Sequence, residues 1–590
     1  MIYVWRIILS EVNILRLFLI DFGSTFIKYA IYDTSGCDYM HFGKEEFPGP
    51  SFCEGNSFLV STKDIENVIF KLFSIACDYK CSKCFICVQM HGYILTDEKN
   101  KYSDYVSWRD ESGDITNPLL KNIDFSVRGT SLKSNLPFVK LIGSKASFEG
   151  KKYFTLGSYI SYVLTGENVT HKTDACAGGF YTADGLLCND EMFSQIEFPK
   201  CCQQVEKIGE YKGMAIYSPV GDHQASFAGS LSADENYFLN IGTASLISCT
   251  GRVDFKSKGC ENRPYFTDEG LITITGLTGG AKLYKGDNTA EFTAEIINAV
   301  SILPRKKTLV VGGGGTESAF ELLCTEMNKR GIKCEKAREN SGIEGLRILA
   351  ENMIRSGIMW SEINFPNAPI ILKNSGLDFS VIDCEHGAFD YSVLTRFIMT
   401  SNLVDFNMII RLGSNNRENI TKLADAGACG LLLPMTSSSS DIAEVVRYSK
   451  YMPVGKRGIS TTRAHTLYNP PDISEYMISA NKKMKVYAQI ETVTGVKNAS
   501  EIINTPGVDG VFIGPNDLSA DMGCIGDTEP ICKCIKAVAK ETKKAGKVWG
   551  IITQNKKLIE CAKKCGVNMI CFGSELNILK TGCKNISKEF

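Results

Sequence analysis

The feature that most constrains this chain is a rhythm in its C-terminal part. Short apolar runs recur there: "FSVID" (379–383), "NMIIRL" (407–412), "GLLLPM" (430–435), "KVYAQIET" (485–492), "GVFIGPNDLS" (510–519), "GIITQ" (550–554) and "MICFGSE" (569–575). They are rich in β-branched and aromatic residues, as buried strands are, and helical segments such as "RENITKLADAG" and "SSSDIAEVVRYSK" lie between them. Strands alternating with helices build a parallel sheet, and this many repeats predict a (β/α)8 TIM barrel. Polar residues that follow the strands then gather on one face. Here they are Asp383, Glu385 and His386, then Arg411, then Gln489 and Glu491, then Asn516 and Asp517.

Taken alone, "DCEHG" reads equally well as a satisfied turn, so the other strand ends decide. Two carboxylates on neighbouring strand ends, Glu491 and Asp517, suit a hard divalent cation that keeps several waters. An arginine can grip a carboxylate with two nitrogens and stabilise an enolate. A histidine held by an aspartate can move a proton. Together these groups describe proton abstraction or carbon–carbon cleavage beside a keto acid.

The wording of "GLDFSVIDCEHGAFD", "IIRL", "LADAGACGLLLPM", "YMPVGKRGIS", "QIETVTGVKNASEI" and "GVDGVFIGPNDLSADMG" resembles, in that order, the HpcH/HpaI class II pyruvate aldolases over about 346–590. The resemblance implies Mg²⁺ or Mn²⁺, with Co²⁺ also admissible, on Glu491 and Asp517, and pyruvate chelating that metal. It implies that Arg411 stabilises the enolate, that the pair Asp383–His386 handles the proton, and that Gln489 bonds near the metal. Asn516 and Asp517 would offer backbone amides to the pyruvate carboxylate. Glu575 stands where many relatives carry aspartate. The wider superfamily keeps an alternative open, a lyase for an acyl-CoA or citramalyl-type substrate.

The N-terminal half carries a different pattern. Four Gly-rich turns follow apolar runs: "LFLIDFGST" (17–25), "YFLNIGTAS" (237–245), "ITGLTGG" (274–280) and "TLVVGGGGTES" (308–318). Backbone amides in such turns can face phosphate, although no GxxxxGK[ST] loop occurs. Between them stand "QMHG" (89–92), "SWRD" (107–110), "YVLTGENVTHKTDACAGGFYTADG" (162–185) and "SPVGDHQASFAGSL" (218–231). In this order the motifs resemble the FGGY carbohydrate kinases, with "GDHQAS" closest to the sedoheptulokinase and xylulokinase type, over about 16–350.

That resemblance implies an actin/hexokinase-like (ribonuclease H-like) fold of two lobes that clamp ATP and Mg²⁺. Asp21 would hold the ion through water, Gly23, Ser24, Thr25, Gly242 and Thr243 would touch phosphates, and Gly313 and Gly314 would lie against adenosine. Asp222 would be the base that takes the proton of a sugar hydroxyl, and Met90, His91, Trp108 and Asp110 would line the sugar site. For Asp222 the competing reading is an N-cap on the helix that follows. Two departures matter: "WRDES" puts Ser112 where the family tends to have arginine, and the stretch between Thr243 and Val311 is short for this family. The second leaves open a non-catalytic, sugar-binding module that regulates the aldolase.

At 590 residues the chain exceeds one core, and the expected division is an extension over 1–15, a kinase-like domain over 16–350 and a barrel over 351–590. The segment "ENSGIEGLRILAENMIRSGIMW" (339–360) reads as one helix shared by both halves. A formal net charge of −1 with no basic block points to no nucleic-acid partner. No uncharged run is long enough to span a membrane, so a cytoplasmic enzyme is expected. Its partners would be a small-molecule sugar, ATP, pyruvate and an aldehyde, and the aldolase likeness implies a homo-oligomer, a hexamer through the barrel. The 23 cysteines are scattered as small core residues are. Cys77, Cys81, Cys84 and Cys87 have the C-x3-C-x2-C spacing of some metal sites, but they straddle a helix–strand connection.

Overall fold

The computed structural model describes residues 16–34, 38–96, 101–143, 148–230, 236–242, 245–251, 259–267, 269–279, 289–469 and 471–589. The expected extension over 1–15 and Thr243 lie outside them. The chain divides into two compact units, the first ending at Glu351 and the second starting at Asn352.

The first unit contains two large sheets that share the order of their five core strands. In one, Arg16–Phe22 runs antiparallel to Phe26–Asp33, which pairs with Asp38–Glu46. On its other side Arg16–Phe22 is parallel to Lys83–Val88, which is parallel to Met214–Tyr217. In the other, Asn236–Ile241 is antiparallel to Ser245–Gly251, which pairs with Gly270–Leu277. On its other side come Thr308–Gly312 and Lys333–Lys336, both parallel. This duplicated order is the two-lobed actin/hexokinase-like architecture expected from the sequence. The short stretch after Thr243 therefore still leaves the second sheet with all five strands of that pattern.

Local chemistry accounts for these elements. Helix Thr62–Asp78 starts where the Ser61 side chain accepts from the Asp64 N–H, and its apolar residues Ile65, Ile69, Leu72, Phe73 and Ala76 fall on one buried stripe. Cys81 and Cys84 lie in the same apolar cluster and Cys87 is fully buried, so three of the four cysteines in the motif are core. Helices Asp222–Gly229 and Ser341–Glu351 cross with no room for side chains. A Cβ on Gly345 would lie 1.8 Å from the Ala225 carbonyl oxygen, and one on Gly229 would lie 1.9 Å from that of Ser341. Glycine at both positions lets the two backbones touch.

The second unit is a closed barrel of eight parallel strands: Arg355–Trp360, Phe379–Asp383, Asn407–Arg411, Gly430–Leu433, Lys485–Ile490, Gly510–Ile513, Val548–Ile552 and Met569–Ser574. Phe379, Val381, Ile409, Leu432, Tyr487, Phe512, Met569 and Cys571 form an apolar cluster contributed by the strands. Fully burying side chains of this size stabilises by roughly 1.5–3 kcal/mol each. One expectation needs correcting. The segment 339–360 is not one helix, because helix Ser341–Glu351 ends in the first unit and Arg355–Trp360 is the barrel's first strand. It is paired on both sides, through Phe379 and Cys571 opposite Gly357, and Gly357 leaves space for the Phe379 ring.

Candidate active sites

The C-terminal ends of the barrel strands bring together most of the expected residues. Asp383 closes its strand and is 3 % exposed, and Arg411 closes the next and is 6 % exposed. Arg411 donates from Nε to Asp383 Oδ1 at 3.0 Å and from a terminal nitrogen to Oδ2 at 2.6 Å. Asp383 Oδ1 also accepts the main-chain N–H groups of Glu385 (3.0 Å) and His386 (3.2 Å). The guanidinium and these N–H groups outweigh burial and hold the Asp383 carboxyl below its ordinary range. Asp383 thus meets His386 through the backbone. The imidazole, largely exposed, has Glu385 as its nearest carboxylate at 3.8 Å, and Glu385 also lies 3.2 Å from Arg411.

Glu491 follows its strand and is buried. One oxygen accepts the Met435 N–H at 2.6 Å, and the other accepts from Gln489 Nε2 at 2.6 Å. Met435 sits in the left-handed region (φ 50°), a conformation that costs a non-glycine residue about 1 kcal/mol and here aims an amide at the carboxylate. Burial, with Asp517 and Glu385 adding repulsion against the opposing Met435 amide and Arg411, pushes the Glu491 carboxyl up to about 7. Asn516 and Asp517 are exposed in the helix Pro515–Asp521, whose N-cap is Gly514. A Cβ on Gly514 would fall 2.4 Å from Glu491 Oε2.

A divalent cation fits this set. It would offset the burial that raises Glu491 and the repulsion from Asp517 and Glu385 that adds to it, and Gln489 Oε1 is buried with no hydrogen-bond partner among the described residues. Among the described residues no three His, Cys, Asp or Glu side chains converge. Glu575, just past the last strand, accepts the N–H groups of Ser361 (2.9 Å), Glu362 (2.6 Å) and Ile363 (3.3 Å), and so shapes the loop after the first strand.

In the first unit, Asp21 near the end of Arg16–Phe22 and Asp222 at the start of its helix repel each other. Burial raises both carboxyls, that of Asp222 up to about 7, with Asp21 adding to it. A cation suits this pair as it does Glu491. The helix N-cap is Gly221, and Asp222 Oδ1 accepts only the adjacent His223 N–H at 2.7 Å, so the capping reading of Asp222 does not describe the geometry. A Cβ on Gly342 would lie 2.6 Å from Asp21 Oδ2, which brings the N-terminal end of helix Ser341–Glu351 against that carboxylate. The turn at Gly23 is tight, its N–H donating to the Asp21 carbonyl at 3.1 Å. Gly313 (φ 94°) has no space for a Cβ beside the Ile241 carbonyl, which places the turn of Gly313 and Gly314 next to Gly242.

Met90 and His91 line a tight pocket with Gln224 and Arg263. His91 (φ 65°) has Nδ1 2.8 Å from the Ala177 carbonyl, and burial with the charges of Arg263 and Lys133 lowers its pKa to about 3, so it is neutral. Arg263 and Lys133 are both held by buried Glu261, at 2.7 and 2.5 Å. Asp110 is otherwise engaged. It accepts from the Phe58 N–H (2.9 Å) and the Ser112 hydroxyl (2.5 Å), with Lys140 at 3.4 Å. Ser112, in the expected arginine's place, thus anchors Asp110. Trp108 accepts at its carbonyl from Asn135.

Some site residues were not singled out from the sequence. Arg263 and Glu261 lie on a strand with no motif around them, and only the fold brings them to His91. Arg109 was visible inside "SWRD" between two chosen residues, and its guanidinium reaches Thr25 Oγ1 at 3.2 Å.

A family model described as HpcH/HpaI aldolase/citrate lyase matches residues 356–580. A hydroxypyruvate/pyruvate aldolase of Roseovarius nubinhibens is 32 % identical over 222 residues, 37 % of this chain and 86 % of its own length. A 5-keto-4-deoxy-D-glucarate aldolase of Klebsiella pneumoniae is 28 % identical over 244 residues, 41 % of this chain and 94 % of its own. Among solved structures, a ligand-bound xylulose kinase from Lactobacillus acidophilus is similar over 57 % of this chain and 89 % of its own, at 15 % identity and a TM-score of 0.47. Through the barrel of its C-terminal half, this chain belongs to the HpcH/HpaI aldolase/citrate lyase family.

Proposed function

We propose that the barrel is a divalent-metal-dependent aldolase. It would reversibly cleave a 4-hydroxy-2-oxo acid, or a 2-keto-3-deoxy sugar acid, to pyruvate and an aldehyde. The observation that carries this is the buried Glu491 carboxylate, raised to about 7 and flanked by Gln489, Asp517 and the Asp383–Arg411 pair. Mg²⁺ or Mn²⁺ held by Glu491 and Asp517 would polarise the keto group of a bound 2-oxo acid. Asp383, by fixing two nitrogens of Arg411, sets the orientation in which the guanidinium faces developing enolate charge. His386, exposed at the mouth, moves the proton of the 4-hydroxyl. The wording of the relatives' names favours pyruvate over a thioester as the shared fragment. Pyruvate release from 4-hydroxy-2-oxo acids, followed by coupled reduction to lactate, tests this reading, and turnover of CoA thioesters instead would replace it with the lyase alternative.

For the first unit, we infer an ATP- and Mg²⁺-dependent kinase that acts on a ketose or a related sugar, with residues 16–350 as its domain and 351–590 as the aldolase domain. The duplicated sheets and the paired, raised carboxyls Asp21 and Asp222 support it. Asp222 would take the proton of the attacking hydroxyl, Asp21 would bind the ion, and the turns at 23–25, 242–243 and 313–314 would face the nucleotide. ADP release across a panel of sugars, wild type against Asp222→Asn, tests it. Sugar binding without ATP binding would favour the regulatory module. The hexamer expected through the barrel is checked by sedimentation velocity.

A further inference from the structure

Three of the chain's 23 cysteines lie together in the helices that surround the barrel strands. Cys532 is on helix Thr528–Lys544, Cys561 is on helix Lys556–Lys564, and Cys565 caps the C-terminal end of the latter. The two helices pack side by side. All three cysteines are partly exposed, whereas Cys81, Cys84 and Cys87 are buried.

Cys561 is common to two thiol pairs. Its Sγ lies 3.9 Å from the Cys532 carbonyl oxygen, and its thiol hydrogen-bonds those of Cys532 and Cys565. The three do not converge on one point as a metal shell would. Thiols in hydrogen-bonding contact are close enough for side-chain rotation to bring the sulfurs to the S–S bond length of about 2 Å. Cys561 and Cys565 are one turn apart at the end of a single helix, whereas Cys532 and Cys561 join two. The charge of Lys536 favours thiolate at Cys532 and Cys565, and Glu529 opposes it at Cys532. Burial, with the bond to Cys561 adding to it, pushes the Cys532 thiol up to about 11, so Cys532 keeps its proton at neutral pH.

We propose that Cys532 and Cys561 are a redox-modification site, forming a reversible disulfide when the protein meets hydrogen peroxide. The Cys561 sulfur attacks the peroxide. An S–O bond forms, the O–O bond breaks, and the departing hydroxide takes the Cys561 proton as water. The Cys532 sulfur then attacks that of Cys561. The S–S bond forms, the S–O bond breaks, and the second hydroxide leaves with the Cys532 proton as water. The two thiols give up two electrons and the peroxide takes both. A dithiol reductant restores the thiols by exchange. The loop closed by the bridge contains strand Val548–Ile552, so the bridge restrains the unfolded chain and stabilises the barrel against heat. The site stands whether or not the barrel is an aldolase.

The test is exposure of the native full chain to a slight excess of hydrogen peroxide, alkylation of the remaining thiols, and peptide mapping without reduction. Peptides joined through Cys532 and Cys561 should appear and should disappear on treatment with dithiothreitol. The oxidised barrel should melt at least about 3 °C above the reduced one. Cys532→Ser should abolish both the joined peptides and the melting shift, and Cys565→Ser should keep both. Mapping of the wild type decides alone if Cys532→Ser fails to fold. Absence of the joined peptides, a Cys561–Cys565 bridge in their place, or a melting shift that Cys532→Ser retains would overturn the proposal.

Discussion

Asp222 and Glu491 are carboxyls pushed up to about 7 by burial together with a neighbouring carboxylate. For Asp222 the consequence is directional. A base must be ionised to accept a proton, so kinase turnover should rise with pH through about 7 and level off above it. Ionising the buried group also costs the folded state. Its contribution to stability is complete below the ordinary carboxylate range and is lost as pH rises through about 7. Asp222→Asn carries no such cost, so its melting temperature relative to wild type should climb between about pH 4 and pH 7. Turnover of the variant should fall about 100-fold or more. A melting difference flat across that window would contradict the burial argument. Arg411 poses a geometric question instead. Two of its nitrogens are spent on Asp383, and lysine cannot reproduce that fork, so Arg411→Lys should lower pyruvate release at least 10-fold despite keeping the charge. At this scale the sequence was legible where a residue sat inside a spaced motif, as Asp222 does in "GDHQAS". It was silent on Arg263, which only the second-lobe sheet brings to His91.

At the scale of elements, glycines decide how closely the catalytic segments approach. The crossing of helices Asp222–Gly229 and Ser341–Glu351 leaves no volume at Gly345, so Gly345→Ala must part the backbones and should cost about 1–3 kcal/mol. Because Gly342 of the same helix abuts Asp21, kinase turnover should fall with the melting temperature. In the barrel, Gly514→Ala drives a methyl group into Glu491 and should weaken metal-dependent pyruvate release roughly 10- to 100-fold with little change in the melting temperature. Full activity in that variant would mean that the Glu491 position tolerates displacement. Seven barrel strands were readable because β-branched and aromatic runs ended in polar residues. The first, Arg355–Trp360, was not. Its Arg-Ser-Gly start has little strand character, and the apolar spacing of the preceding helix runs into it. Only pairing on both sides makes it a strand.

At the scale of the molecule, two units carry two candidate centres, and the account requires them to be separable. Asp222→Asn should leave pyruvate chemistry at the wild-type rate, and Glu491→Ala should leave sugar-dependent ADP release intact. The central claim is that the barrel makes a pyruvate enolate with a metal on Glu491 and Asp517. The most direct measurement is exchange of the pyruvate methyl protons in D₂O by NMR, with and without Mg²⁺ or Mn²⁺, for wild type and Glu491→Ala. It needs no knowledge of the aldehyde, because enolate formation alone exchanges the protons. The account predicts metal-dependent exchange that Glu491→Ala abolishes. Exchange that persists in the variant, or none with either metal, would contradict it.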